Sequence, residues 1–154
     1  MKLIPEWYEH QNCLIAWPCN KGLYGEIINN ARDEVANVIN EIAKTEDVIV
    51  LSNKENINEI KSKTVHEKIY ILECKLDDSW MRDIGPIFYS EDKKLKSISF
   101  DFNGYGKYPD YFNDNKVSKF ISNYLNIPTK ISDLVIEGGG ITYDDKKNLF
   151  STKN

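Results

Sequence analysis

Positive charge is in short supply in this sequence: 20 lysines and arginines face 24 aspartates and glutamates, for a net charge of −4. A protein that binds nucleic acid concentrates Lys and Arg on one face, so this balance argues against nucleic acid as the main partner and suits a small cation instead. Histidine is limited to His10 and His66, and cysteine to Cys13, Cys19 and Cys74. An odd number of cysteines without zinc-like spacing predicts neither a disulfide framework nor a metal site, but reduced thiols in a reducing compartment. No run approaches the ~18 apolar residues of a membrane span. The first six residues also lack the apolar core of a secretory signal, so a cytoplasmic location with no membrane partner is the expectation. Linkers and low-complexity tracts are missing too. The expectation is therefore one region over 1–154, long enough to bury roughly 70% of its unfolded surface if it closes on itself.

What is present reads as short strands alternating with helices. An apolar run over 13–17 is stopped by Pro18, and β-branched runs cover 47–52 and 68–74; all three have strand length. Between the first two, residues 26–44 carry a helical stripe of Ile27, Ile28, Ala31, Val35, Val38, Ile39 and Ile42. A second helix is expected over 53–63, capped by Ser52 or Asn53. Residues 86–90 and 95–102 predict a hairpin around Glu91, Asp92, Lys93 and Lys94. A third helix over 114–125 turns Val117, Phe120, Ile121 and Tyr124 inward, with Pro128 beyond its end. A last strand pair is expected over 134–143 and 148–152. Trp7 and Trp17 are expected to pack the first module.

The most informative stretch is Asp77-Asp78-Ser79-Trp80-Met81-Arg82-Asp83-Ile84-Gly85-Pro86. It gathers three carboxylates, an indole and an arginine between one strand and the next. A carboxylate accepts two parallel N–H bonds from a guanidinium, and an indole face attracts the same delocalised charge, so Asp83 with Trp80 is what such a ligand needs. Taken alone, the composition equally suits a solvated acidic turn, with Trp80 as a core plug and Arg82 paired to a neighbouring Asp.

Four separated segments shift that balance. Residues 77–88, DDSWMRDIGPIF, resemble the agmatine deiminase form of the signature of the bacterial-type agmatine and peptidylarginine deiminase family. Ile4-Pro5-Glu6-Trp7 through Ala16-Trp17-Pro18 resembles that family's N-terminal segment. Phe102-Asn103-Gly104-Tyr105-Gly106-Lys107 resembles its Phe-Asn-aromatic-Gly-Lys segment, and Val135-Ile136-Glu137-Gly138-Gly139-Gly140-Ile141 its Glu-Gly-Gly strand. The four matches occur in the family's order from end to end of the chain.

The resemblance implies an α/β fold in which repeated ββαβ modules form a five-module propeller, of which this chain has material for about two and a half. It implies a reaction that turns agmatine and water into N-carbamoylputrescine and ammonia, a step of putrescine biosynthesis, through a cysteine thiouronium intermediate and without metal or organic cofactor. Asp83 matches the aspartate that grips the guanidinium, Trp80 the aromatic beside it, and Glu137 a second carboxylate. Asp78, with Asp77, would orient Arg82 or line the pocket.

The family's catalytic histidine and cysteine belong to a C-terminal half that has no counterpart here, so no residue is assigned a catalytic role. Cys13 lies three residues from His10, about 10 Å along an extended strand and on the opposite face, and His66 lies about 26 Å of extended chain from Cys74. Three readings remain open: an N-terminal, substrate-gripping half of a deiminase; a non-catalytic guanidinium-binding or regulatory module; and a truncated gene product. Peptidyl-arginine is the alternative substrate. An open array of modules would also expose apolar faces, which predicts self-association or a complementary C-terminal-half chain.

Overall fold

The computed structural model describes residues 2–4, 7–146 and 148–151, which divide into two compact units: His10–Met81, and Met1–Glu9 together with Arg82–Asn154. Pro5 and Glu6 of the Pro-Glu-Trp segment, and Thr152 of the last predicted strand, lie outside the described residues.

In the first unit, strands β2 (Asn12–Ala16), β3 (Asp47–Ser52) and β4 (Ile69–Glu73) form a wholly parallel sheet in the order β2-β3-β4. Parallel neighbours require crossover helices. The chain supplies α1 (Lys21–Tyr24) and α2 (Ile28–Ile42) before β3, and α3 (Ile57–Lys63) before β4. The middle strand is apolar at nearly every position because it is covered on both faces, and Val48 through Ser52 are all buried. The core joins Trp17, Ala36, Ile39, Ala43, Val48, Val50 and Ile60.

The expected helical stripe is rotated in the folded chain. Ile27 and Val38 are exposed, while Ile28, Arg32, Ala36 and Ile39 are buried. Arg32 explains the rotation. Its guanidinium donates to the Pro18 carbonyl (3.0 Å), Glu59 (2.8 Å) and Asn56 Oδ1 (3.0 Å), so a charged residue takes a core position because every donor group finds an acceptor. Neither Ser52 nor Asn53 caps the second helix by a side-chain bond. Ser52 ends β3, and Asn53 bonds Leu76 instead, accepting from its N–H (2.8 Å) and donating to its carbonyl (3.1 Å). That clamp fixes the start of the acidic loop. Trp17 is fully buried as expected, but Trp7 is 65% exposed, because it stands in an irregular turn outside any helix or strand.

In the second unit, β1 (Lys2–Leu3), β5 (Ile87–Glu91), β6 (Lys94–Asp101) and β7 (Thr129–Val135) form one sheet in the order β1-β5-β6-β7. The predicted hairpin is β5–β6, closed by Asp92 and Lys93 at φ 52° and 61°, the mirror-image turn that matches strand twist. Helix α5 (Val117–Tyr124) carries the chain from β6 to the parallel β7. Val117 and Ile121 are buried, but so are Ser118 and Ser122, while Tyr124 is exposed and Phe120 half-buried. The small serines let the helix lie close to the sheet, and Ser122 Oγ bonds Ser97 Oγ of β6 at 2.8 Å.

The strand expected over 134–143 is broken. β7 ends at Val135, Gly138–Gly140 form a tight turn, and β8 (Ile141–Tyr143) begins a hairpin with β9 (Leu149–Ser151). Its turn is held by Asp144, which accepts from Asn148 and Lys146, and those bonds hold its carboxyl below the usual carboxylate range.

Candidate guanidinium site

The ends of β6 and β7 and the segment before β5 meet at one edge of the second unit. Parallel strands β6 and β7 bring their C-terminal ends together, and antiparallel β5 begins at the same edge. Asp83 stands there, on the short helix α4 (Met81–Ile84). Its half-buried carboxylate is gripped from two sides. Tyr105, beyond β6, donates its hydroxyl to Oδ2 at 2.7 Å, and the Gly139 N–H, beyond β7, donates to Oδ1 at 2.8 Å. Each oxygen keeps one lone pair, the pattern that a bidentate guanidinium uses.

The glycine run has a physical cause. A Cβ on Gly138 would sit 2.2 Å from the Arg82 backbone oxygen, and one on Gly139 would sit 2.3 Å from Asp83 Oδ1. Both glycines are therefore forced by close approach to residues 82 and 83, whereas Gly140 has only Glu137 Oε2 at 3.9 Å. Glu137 precedes the turn and is half-buried, and its backbone carbonyl accepts from the Gly140 N–H at 3.0 Å. Arg82 donates to the Ile141 carbonyl (3.1 Å), which ties α4 to β8.

Trp80 and Asp78 belong to the first unit. Asp78, buried, accepts from the Trp80 indole N–H at Oδ2 (2.7 Å) and from the Ser79 backbone N–H at Oδ1 (2.7 Å). Ser79 Oγ in turn bonds the Tyr24 hydroxyl at 2.7 Å, which burial pushes up in pKa. Asp78 therefore holds the ring of Trp80, itself 45% exposed, in one orientation. Asp78→Asn should loosen that ring, because the amide cannot accept from both donors through two oxygens. The Trp80 indole proton is then expected to exchange with solvent about tenfold faster, read by NMR.

All three cysteines lie in the first unit and none of them forms a disulfide. Cys74 is buried, and Cys19 donates weakly to the Leu76 carbonyl (3.6 Å). Cys13 is pushed up in pKa by burial and, secondarily, by Glu46, so it stays a neutral thiol near pH 7. Its alkylation by iodoacetamide in the native chain should run at least about tenfold slower than that of a free thiol at pH 7.5, and accelerate only above about pH 9, followed by mass spectrometry.

Tyr105 stands in the Phe-Asn-aromatic-Gly-Lys segment, but the sequence assigns it no contact with Asp83. The signal lay in the Gly-Tyr-Gly triplet, an aromatic between two glycines beyond a strand. The described residues hold no group of three or more His, Cys, Asp or Glu side chains placed to bind a metal ion, and no helix among them is long and apolar enough to cross a membrane.

Residues 2–154 match the family described as Porphyromonas-type peptidyl-arginine deiminase. The chain belongs to that family. A Mycoplasma capricolum protein named "Putative agmatine deiminase" is 30% identical over 154 residues, which cover 96% of this chain and 42% of that protein. The solved agmatine deiminase of Enterococcus faecalis superposes with a TM-score of 0.87 at 19% identity, over 93% of this chain and 41% of that one. A C. jejuni agmatine deiminase variant with substrate bound gives 0.88 at 22% identity, over 97% and 45%. The chain thus spans less than half the length of the deiminase relatives it matches. The superpositions establish the fold class as part of an α/β propeller, as the sequence resemblance implied.

Proposed function

We propose that this chain supplies the guanidinium-gripping part of an agmatine deiminase-like hydrolase. The overall reaction is agmatine and water to N-carbamoylputrescine and ammonia, which feeds putrescine formation in the cytoplasm. Asp83 accepts the guanidinium N–H fork, and Glu137 is the second carboxylate. Asp78 orients the ring of Trp80, the residue that matches the family's aromatic in the signature loop. The nucleophile and the acid/base that protonates departing ammonia come from the remainder of the family's domain, in this chain's continuation or on a complementary chain. The exposed Ile131, Leu134 and Val135 of β7 and Leu149 and Phe150 of β9 fit an apolar surface covered by such a partner or a second copy.

The observation that carries this reading is the Asp83 carboxylate, preset by one donor on each oxygen and with one lone pair on each still available. Calorimetric titration of agmatine into the chain, with ammonia measured in parallel, tests it. Binding without ammonia release is expected. Failure to bind agmatine, with putrescine as comparison, overturns the reading.

A second reading, a guanidinium-binding module without catalysis of its own, is favoured by the burial of Cys74 and by the burial that pushes the Cys13 thiol up in pKa. Peptidyl-arginine is the alternative ligand, and an N-acyl-arginine amide binding in preference to agmatine would select it.

A further inference from the structure

We propose that Tyr105 is the positioning residue of this site: its hydroxyl fixes the Asp83 carboxylate so that the site prefers a planar guanidinium to an ammonium. The selectivity half of this statement rests on the guanidinium reading given above. Tyr105 sits at φ 60° and ψ 20°, the left-handed region, between Gly104 and Gly106 that both have φ 64°. A bulky aromatic residue enters that region only at a cost, whereas a third glycine would make the same turn without strain. The turn is held in spite of this. Asn103 Oδ1 accepts from the Gly106 N–H at 3.0 Å, and the Tyr105 ring packs edge-on against Phe102 at 5.1 Å and Tyr108 at 6.2 Å. The conformation places the hydroxyl 2.7 Å from Asp83 Oδ2.

With the Gly139 N–H on the other oxygen, that bond stops rotation of the carboxylate about its last torsion. The two remaining lone pairs, one per oxygen, then point in fixed directions. A guanidinium requires such a fork, while an ammonium, a point charge with rotating donors, does not. Orientation, beyond charge, is therefore what Tyr105 adds.

Tyr105→Phe keeps the ring and removes only the hydroxyl. Agmatine and putrescine are titrated calorimetrically into the full chain and the variant, and urea unfolding is measured for Tyr105→Phe, Asp83→Asn and the double variant. Agmatine binding should weaken about 5- to 10-fold, with putrescine binding held within about twofold. The double variant should be non-additive by about fivefold or more in the unfolding constant. Tyr105→Asn, which accepts the left-handed region more readily, should fold and show the same loss of preference. Equal losses for agmatine and putrescine, no loss for either, or additive unfolding effects would each overturn the assignment. Failure of the wild-type chain to bind agmatine sinks the guanidinium reading and the selectivity with it, while the unfolding cycle still decides whether Tyr105 positions Asp83.

Discussion

Asp83→Asn should weaken agmatine binding by about 30- to 150-fold, the equivalent of roughly 2–3 kcal/mol for a charge-assisted bidentate contact. The substitution is nearly isosteric, so the loss comes from chemistry. Asparagine has one acceptor oxygen, and two donors already converge on the carboxylate, from Tyr105 and Gly139. Whichever way the amide turns, its N–H₂ group faces one of them, and the negative charge that attracts the ligand is gone. Glu137→Gln should cost less, because no comparable pair of donors among the described residues fixes the Glu137 carboxylate. Titration calorimetry with agmatine and putrescine on both variants reads the difference. Unchanged agmatine binding in Asp83→Asn would mean that this carboxylate is not the grip.

Gly138→Ala should be among the most destabilising single-methyl changes in the chain, costing about 3 kcal/mol. Its Cβ would lie 2.2 Å from the Arg82 carbonyl oxygen. Backbone cannot swing aside as a side chain can, so either the Gly138–Gly140 turn or α4 must move. For a unit of this size the thermal midpoint should fall on the order of 10–20 °C. The neighbouring glycines provide controls of opposite kind. Gly140→Ala meets only Glu137 Oε2 at 3.9 Å and should melt like the parent. In Gly139→Ala the new methyl meets the Asp83 carboxylate, 2.3 Å away, which can yield by rotating, so the chain should fold and lose agmatine affinity instead. Equal melting of all three variants would show that the close approach of this turn to residues 82 and 83 is wrong.

Asp47–Ser52 was legible to the residue because a strand buried on both faces is apolar without alternation. The β5–β6 hairpin was legible because four charged residues separate two short segments that carry apolar and aromatic residues. The short strand β1 and the parallel β7 were not. The first is two residues long, and the second carries Lys130, Ser132 and Asp133 among its apolar positions, which hides its periodicity. The buried faces of α2 and α5 were misread for a shared reason. Hydropathy ranks Val38 and Tyr124 above Arg32 and Ser122, yet hydrogen-bonded partners on adjoining elements decide which residues a helix buries.

The sequence by itself determined the family, the α/β class and the identity of Asp83, Trp80, Glu137 and Asp78 as candidates, because these follow from residue types at local spacings. Tertiary structure alone decided how each is held. Only the meeting of strand ends brings Tyr105 and Gly139, 22 and 56 residues from Asp83, onto one carboxylate. Only the close approach of that turn shows why Gly138 and Gly139, but not Gly140, must lack a side chain. The same is true of Asp78, which the sequence leaves as a carboxylate that orients Arg82 or lines the pocket. In the folded chain both of its oxygens accept local donors, the Trp80 indole N–H among them, so it acts by orienting that ring. Hydrogen-bond saturation is a property of three-dimensional neighbours, and a one-dimensional pattern of acidic residues does not contain it.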